Sequence, residues 1–294
     1  MLRMVLVFKV AMALLVSPLI AHEEADETTD ISVTTPNFAS ATPQVCPELA
    51  GGQPCTVAMK AESSNCRVRF TEIVATYTVT YKRFGRNDRS VISHTWRGDQ
   101  CKVSERQRVS TDVRGGDIQV TFAYKLTNGQ SGTSAHQISV VGANPSSATV
   151  RADLRQPIYE AYTYHISKFR QFAADGHPAT NSALGGFGVG GKVKASSEDL
   201  WNWKANLSAS KAQLDAAWAA AARHPGEMRA AGYSVPNFDA DQQARQALLF
   251  QRGRSYFQPS AGGGWIKAAG AGNFADKIMQ IAADVAAGNP PADW

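Results

Sequence analysis

The chain has 294 residues, 44% hydrophobic and 19% charged, with 30 Lys and Arg against 25 Asp and Glu for a formal net charge of +5. That is enough chain for one large or two medium globular domains, and two fit the pattern better. The mild charge, with no groove-reading helix and no stacking platform, argues against nucleic acid as a partner.

Residues 1–21 read as a signal peptide. Arg3 and Lys9 give a basic start, residues 10–21 form a short apolar run interrupted by Pro18, and cleavage after Ala21 would lower the net charge by two. No later segment approaches about 18 uninterrupted apolar residues, so membrane association is expected only through this segment, if uncleaved. The expected location is exported, periplasmic or extracellular.

Residues 22–44, rich in Thr, Ser, Asp, Glu and Pro, read as a flexible linker. Beyond them lie all four cysteines, Cys46, Cys55, Cys66 and Cys101. An even count in an exported chain, without a CxxC pair, points to two disulfides rather than a metal site. Three pairings are open, and Cys46–Cys55 with Cys66–Cys101 is the preferred one.

From residue 56 the period becomes two, with β-branched and aromatic runs at 67–70, 73–81, 90–96, 117–124 and 136–141. Turn signals at 85–88, Gly115-Gly116 and Asn128-Gly129 separate them. Residues 45–149 are therefore predicted to form a disulfide-stapled all-β sandwich of immunoglobulin-like kind. The basic run 81–89 reads as a solvated hairpin, although such a run could also follow an anionic polymer.

After Ser147 the chain is Ala-rich and the period lengthens, so residues 150–294 read as mainly α. Helices are predicted at 153–172, with Pro157 in a first turn, at 200–223 after a Ser196/Asp199 start, at 240–250, and at 274–287 after Asn273. The glycine-dense stretch 185–191 must be a loop, since each Gly in a helix costs about 1 kcal/mol.

Three segments of this half carry a motif: Tyr164 to Phe172, then Gly186-Phe187-Gly188, then Trp201-Asn202-Trp203-Lys204-Ala205-Asn206. Trp265 and the segment from Asn273 to Ile278 close the pattern. Over residues 150–285 this order resembles the lysozyme-like, soluble lytic transglycosylase-like family. There a helix ends in Glu-Ser, a Gly-aromatic-Gly segment follows, and a Trp-x-Trp-x-x-Asn helix start comes next.

The resemblance implies a lysozyme-like α domain that cleaves peptidoglycan glycan strands with one Glu acting as general acid. Here the acid's position holds Ile166, which cannot donate a proton. Val189-Gly190-Gly191 stands where the family has an aliphatic and Met-Gln, and Phe250-Gln251-Arg252-Gly253 replaces a Tyr-Asn-Gly region. The catalytic residue is thus unknown.

Asp175 is the fallback acid, able to reach a cleft from its loop. Glu160 lies about 240° round the helix from Ile166, and Glu198 and Asp199 sit where a helix N-terminus favours the ionised form. His165, Asp175 and His177 match no metal-ligand spacing, and no cofactor is expected. Ser167 beside His165 is no hydrolase triad, and the glycine loop lacks a phosphate cradle's Lys-Ser/Thr ending.

Phe187, Trp201, Trp203 and Tyr256 are the candidates for stacking on sugar, with core packing as the competing role. Two functions follow as expectations. One is an exported peptidoglycan-directed pseudoenzyme that binds glycan strands or another cell-envelope protein, with the β-domain as holder. The other is an active lytic enzyme using a displaced carboxylate such as Asp175.

Overall fold

The computed structural model describes residues 29–36, 43–83, 85–181 and 185–294. The expected export segment, most of the expected linker, and Phe84 of the basic run lie outside these residues.

The first half forms two sheets. Strands β1 (Ile31–Thr34), β3 (Thr56–Ser63) and β6 (Lys102–Arg108) make one, in the order β1-β3-β6. Strands β2 (Gln44–Val45), β4 (Phe70–Arg83), β5 (Arg86–Gln100), β7 (Gly116–Leu126) and β8 (Ser131–Val141) make the other, in the order β2-β8-β7-β4-β5. A one-turn helix, α1 (Pro47–Ala50), lies between β2 and β3.

Alternation decides which face is buried. In β4, Ile73, Ala75, Tyr77, Val79 and Tyr81 point inward while the intervening threonines face out, and Ile118, Val120 and Phe122 answer from β7. The Tyr77 hydroxyl crosses to the second sheet and donates to Gln107 Oε1 at 2.9 Å. Within the segment read as a linker, Ile31–Thr34 pairs antiparallel with β3 and buries Val33.

Disulfides join Cys46 to Cys55 and Cys66 to Cys101, the preferred pairing. They fit an oxidising compartment. No helix among the described residues is long and apolar enough to cross a membrane.

In the second half the predicted helix 153–172 is broken. Helix α2 (Ser147–Leu154) ends at Arg155 with φ 57°, and α3 (Pro157–Ser167) restarts with proline in its first turn, because the residue before proline avoids helical geometry. A small hairpin, β9 (Thr180–Asn181) with β10 (Gly186–Phe187), follows.

Helix α4 (Ser197–Trp201) has the expected Ser196/Asp199 capping box. It stops at extended Asn202, whose side chain caps the 28-residue α5 (Trp203–Ala230). Helix α6 (Ala240–Phe250) precedes a second hairpin, β11 (Phe257–Pro259) with β12 (Trp265–Lys267), and α7 (Phe274–Ala286) packs on α3.

The expected architecture, an all-β immunoglobulin-like sandwich followed by a separate mainly α lysozyme-like domain, is not the one adopted. The chain is a mixed fold with near-equal shares of strand and helix, and two of its hairpins fall in the helical half. One apolar core includes the inward faces of both sheets together with Phe172, Ala195, Leu200 and Trp201 from beyond residue 150.

Trp201 is 1% exposed, edge-on to Tyr81 at 5.2 Å and tilted against Phe172 at 5.7 Å. Gly115 lies so close beneath its ring that a Cβ there would fall 2.5 Å from the indole. A second core joins α3, α5, α6 and α7 around Tyr162, Ile166, Trp203 and Ile278. Periodicity identified the apolar faces; it did not say that some of them would close over a sheet.

Candidate functional site

The motif residues build a clasp. Ile166, 7% exposed in the last turn of α3, faces Gly191, whose φ of 63° and 2.4 Å clearance admit only glycine. The single Ser167 hydroxyl hydrogen is shared between the carbonyls of Val189 at 2.6 Å and Thr163 at 3.0 Å.

Buried Gln171 donates to the carbonyls of Leu200 and Asp199, and its own Oε1 accepts from Val189 N–H at 3.0 Å. Asn206 accepts from Gly190 N–H at 2.6 Å and donates to the carbonyls of Phe187 and Asp199, both at 2.9 Å. Ser210 donates to Gly190 O at 2.8 Å. These buried side chains spend their hydrogen bonds on backbone that would otherwise be left unsatisfied. The motif order therefore encodes loop anchoring.

The four proposed stacking aromatics do not converge. Trp201 lies in the sheet core, and Trp203 is fully buried with its indole N–H donating to Ala50 O at 2.8 Å. Tyr256, 6% exposed, donates to Asp276 at 2.5 Å, within an ion-pair network of Arg245 and Lys267. Phe187 is partly buried against the sheet core. Trp201, Trp203 and Tyr256 are packing residues; none presents a face to a sugar.

Asp175, the fallback acid, is held as a carboxylate. Arg83 Nη2 donates to it at 2.6 Å and His177 N–H at 3.0 Å, and these bonds, the Arg83 bond foremost, pull its carboxyl down to about 2. The pairing favours its ionised form and ties the end of β4 to the loop after α3. Its folded value lies below its ordinary one, so the stability it contributes is present above pH 3.8 and is lost as pH falls toward 2. An Asp175→Asn variant should lose that acid-range dependence, which pH-dependent thermal unfolding reads out.

Placing an acid at the family's position should not restore chemistry either. Ile166→Glu buries a carboxyl among Phe169, Val189 and Leu207, at a cost on the order of 3 kcal/mol. A lowered unfolding midpoint with no release of muropeptides is the expected result.

Cys46, Glu48 and Cys55 come close enough to suggest a metal group, but the two sulfurs are bonded to each other and leave no thiolate. What the sequence missed is a groove along the outer face of α5. Two adjoining hollows of about 530 and 390 Å³ share Asp215. Gln156, Ile158, Tyr159, Trp218 and Gln243 line the first, and Asp153, Lys204, Ser208 and Lys211 the second.

From Lys204 to Ala222 the lining follows helical three- and four-residue steps over about 27 Å. The Tyr159 hydroxyl donates to the Asp215 carboxylate; burial and that bond together hold the phenol above its usual range. Lys211 Nζ stands 5.7 Å over the Tyr159 ring, and Gln243 Nε2 donates to Trp218 O at 3.5 Å. The signal was present as Lys204, Lys211, Asp215 and Trp218 on one helical face. A polar helix face ordinarily means solvent, and the groove exists only because α2, the start of α3, and α6 wall it.

No protein-family model and no curated protein matches the chain. Among solved structures it is similar to a DUF4466 family protein from Parabacteroides merdae, at 15% identity and TM-score 0.23 over 38% of this chain and 44% of that one. It is also similar to Spo0M, a sporulation control protein from Bacillus subtilis, at 9% identity and TM-score 0.23 over 43% of this chain and 55% of that one. The chain thus spans about half the length of either of these structures.

Proposed function

We propose that the protein is an exported module that binds peptidoglycan glycan strands in the α5 groove and does not cleave them. The observation that carries this reading is the groove's length and lining. An open channel suits a linear polymer, and it combines half-buried Trp218, beside the edge of buried Tyr159, with amides and charges of both signs.

Aromatic faces receive the apolar faces of sugar rings. Gln156 and Gln243 offer the donors and acceptors that acetamido groups require, and Lys204 and Lys211 offer charge to lactyl carboxylates. Binding without cleavage is supported by aliphatic Ile166 at the motif's acid position and by ionised Asp175. The disulfides favour the exported side of the reading.

Trp218→Ala should weaken binding to soluble glycan strands about tenfold, the equivalent of 1.4 kcal/mol, with little change in the unfolding midpoint. Calorimetry with purified strands reads the affinity. Undiminished affinity in that variant would remove the groove from the proposal.

A further inference from the structure

Beyond α7 the chain turns at Gly288 and runs back over α3. Trp294 stacks on Tyr164 at 5.3 Å and 22°, meets Phe169 edge-on at 5.3 Å, and lies under the Arg151 guanidinium at 4.8 Å. Asp293 accepts from the Tyr164 hydroxyl and pairs with Lys168 Nζ at 3.4 Å. Lys168 Nζ also sits 3.6 Å over the Tyr164 ring.

The receiving surface is unusual in its backbone. Lys168 and Phe169 are consecutive non-glycine residues in the left-handed region, at φ 54° and 60°. Such strain persists only where the surroundings enforce it, and it is concentrated at binding sites. Here it turns the Lys168 and Phe169 side chains to flank Tyr164.

The segment that fills this cradle is lightly held. Ala287 to Pro290, Ala292 and Asp293 are exposed, so the attachment falls mainly on the Trp294 ring and the Asp293 carboxylate. Pro290 and Pro291 stiffen the approach, which lowers the entropy lost on docking. The indole N–H of Trp294 is buried without a hydrogen-bond partner among the described residues, so the fit is to the ring face and the neighbouring acid rather than to the whole side chain.

We propose that Arg151, Tyr164, Lys168 and Phe169 form a recognition site for an acidic–aromatic peptide segment, filled in cis by Asp293-Trp294. A polypeptide presenting the same Asp-Trp pair is the partner it fits in trans. This inference does not depend on the glycan groove. Because the tethered segment competes at high effective concentration, the intact chain should bind such a partner at least about tenfold more weakly than a chain lacking the segment.

The test is fluorescence-anisotropy titration of a labelled Asn289–Trp294 peptide into the full chain, into a chain ending at Gly288, and into a full-length Trp294→Ala variant. Saturable binding to the shortened chain, weak binding to the full chain, and intermediate binding to Trp294→Ala are expected. Tyr164→Phe in the shortened chain removes the hydroxyl to Asp293 and should cost about tenfold. Lys168→Glu should cost at least as much.

No saturable binding to either altered chain would overturn the proposal. So would affinity indifferent to Tyr164→Phe and Lys168→Glu. Loss of cooperative folding in both the shortened chain and Trp294→Ala would also overturn it, by showing the segment to be a core element. Glycan affinity measured on the same proteins tests the groove separately.

Discussion

Trp201→Ala is expected to destabilise the protein by about 3–5 kcal/mol, the range for emptying a buried tryptophan site. The reason is placement. Trp201 closes α4, yet its ring fills space in the sheet core among Tyr81, Phe172 and Gly115. The cavity would therefore open between the two halves of the chain, where neither can collapse alone. Urea unfolding measures the loss, and amide exchange should show β4 and α4 losing protection together. Loss confined to the helices would mean that the halves are energetically separate.

The second large effect concerns the disulfide between Cys66 and Cys101. The residues it joins are 35 apart in sequence, so Cys66→Ser with Cys101→Ser should cost about 4 kcal/mol through the freedom returned to the unfolded chain. Cys46 and Cys55 are only 9 apart, and removing that bridge should cost about 2.5 kcal/mol by the same relation. Denaturant midpoints of the two double variants give the comparison. The longer loop is predicted to be the more damaging loss, and the reverse order would show that native packing, rather than chain entropy, dominates.

The strands were legible because their cores are local. The alternation 73–81 and 117–124 fell inside β4 and β7, and Asn128-Gly129 does form the turn before β8, with Gly129 at φ 84°. β5 extends past its predicted run 90–96 at both ends, where Asn87-Asp88-Arg89 and Arg97-Gly98-Asp99-Gln100 are too polar to read as strand and are ordered by pairing with β4. β1 was invisible for a similar reason: Ile31–Thr34 offers little apolar surface and is ordered by pairing with β3.

Helix caps were equally local, and the Ser196/Asp199 box stands where it was expected. The helix breaks at Arg155–Gln156 and at Asn202 were blurred by continuous amphipathicity. What failed was everything set by distance in sequence. Asp175 meets Arg83 across 92 residues, and that contact fixes its charge state. Trp203 reaches Ala50 across 153. The motif aromatics and amides were read as a sugar site, whereas in the fold the same spacing holds a glycine loop through Gln171, Asn206 and Ser210.

Binding without cleavage is checked by cosedimentation of residues 22–294 with purified sacculi, followed by chromatography of the supernatant. The protein is expected to sediment with the sacculi, Trp218→Ala to stay largely in solution, and neither to release muropeptides. Soluble fragments released by the wild type, or sedimentation unaffected by Trp218→Ala, would contradict binding without cleavage.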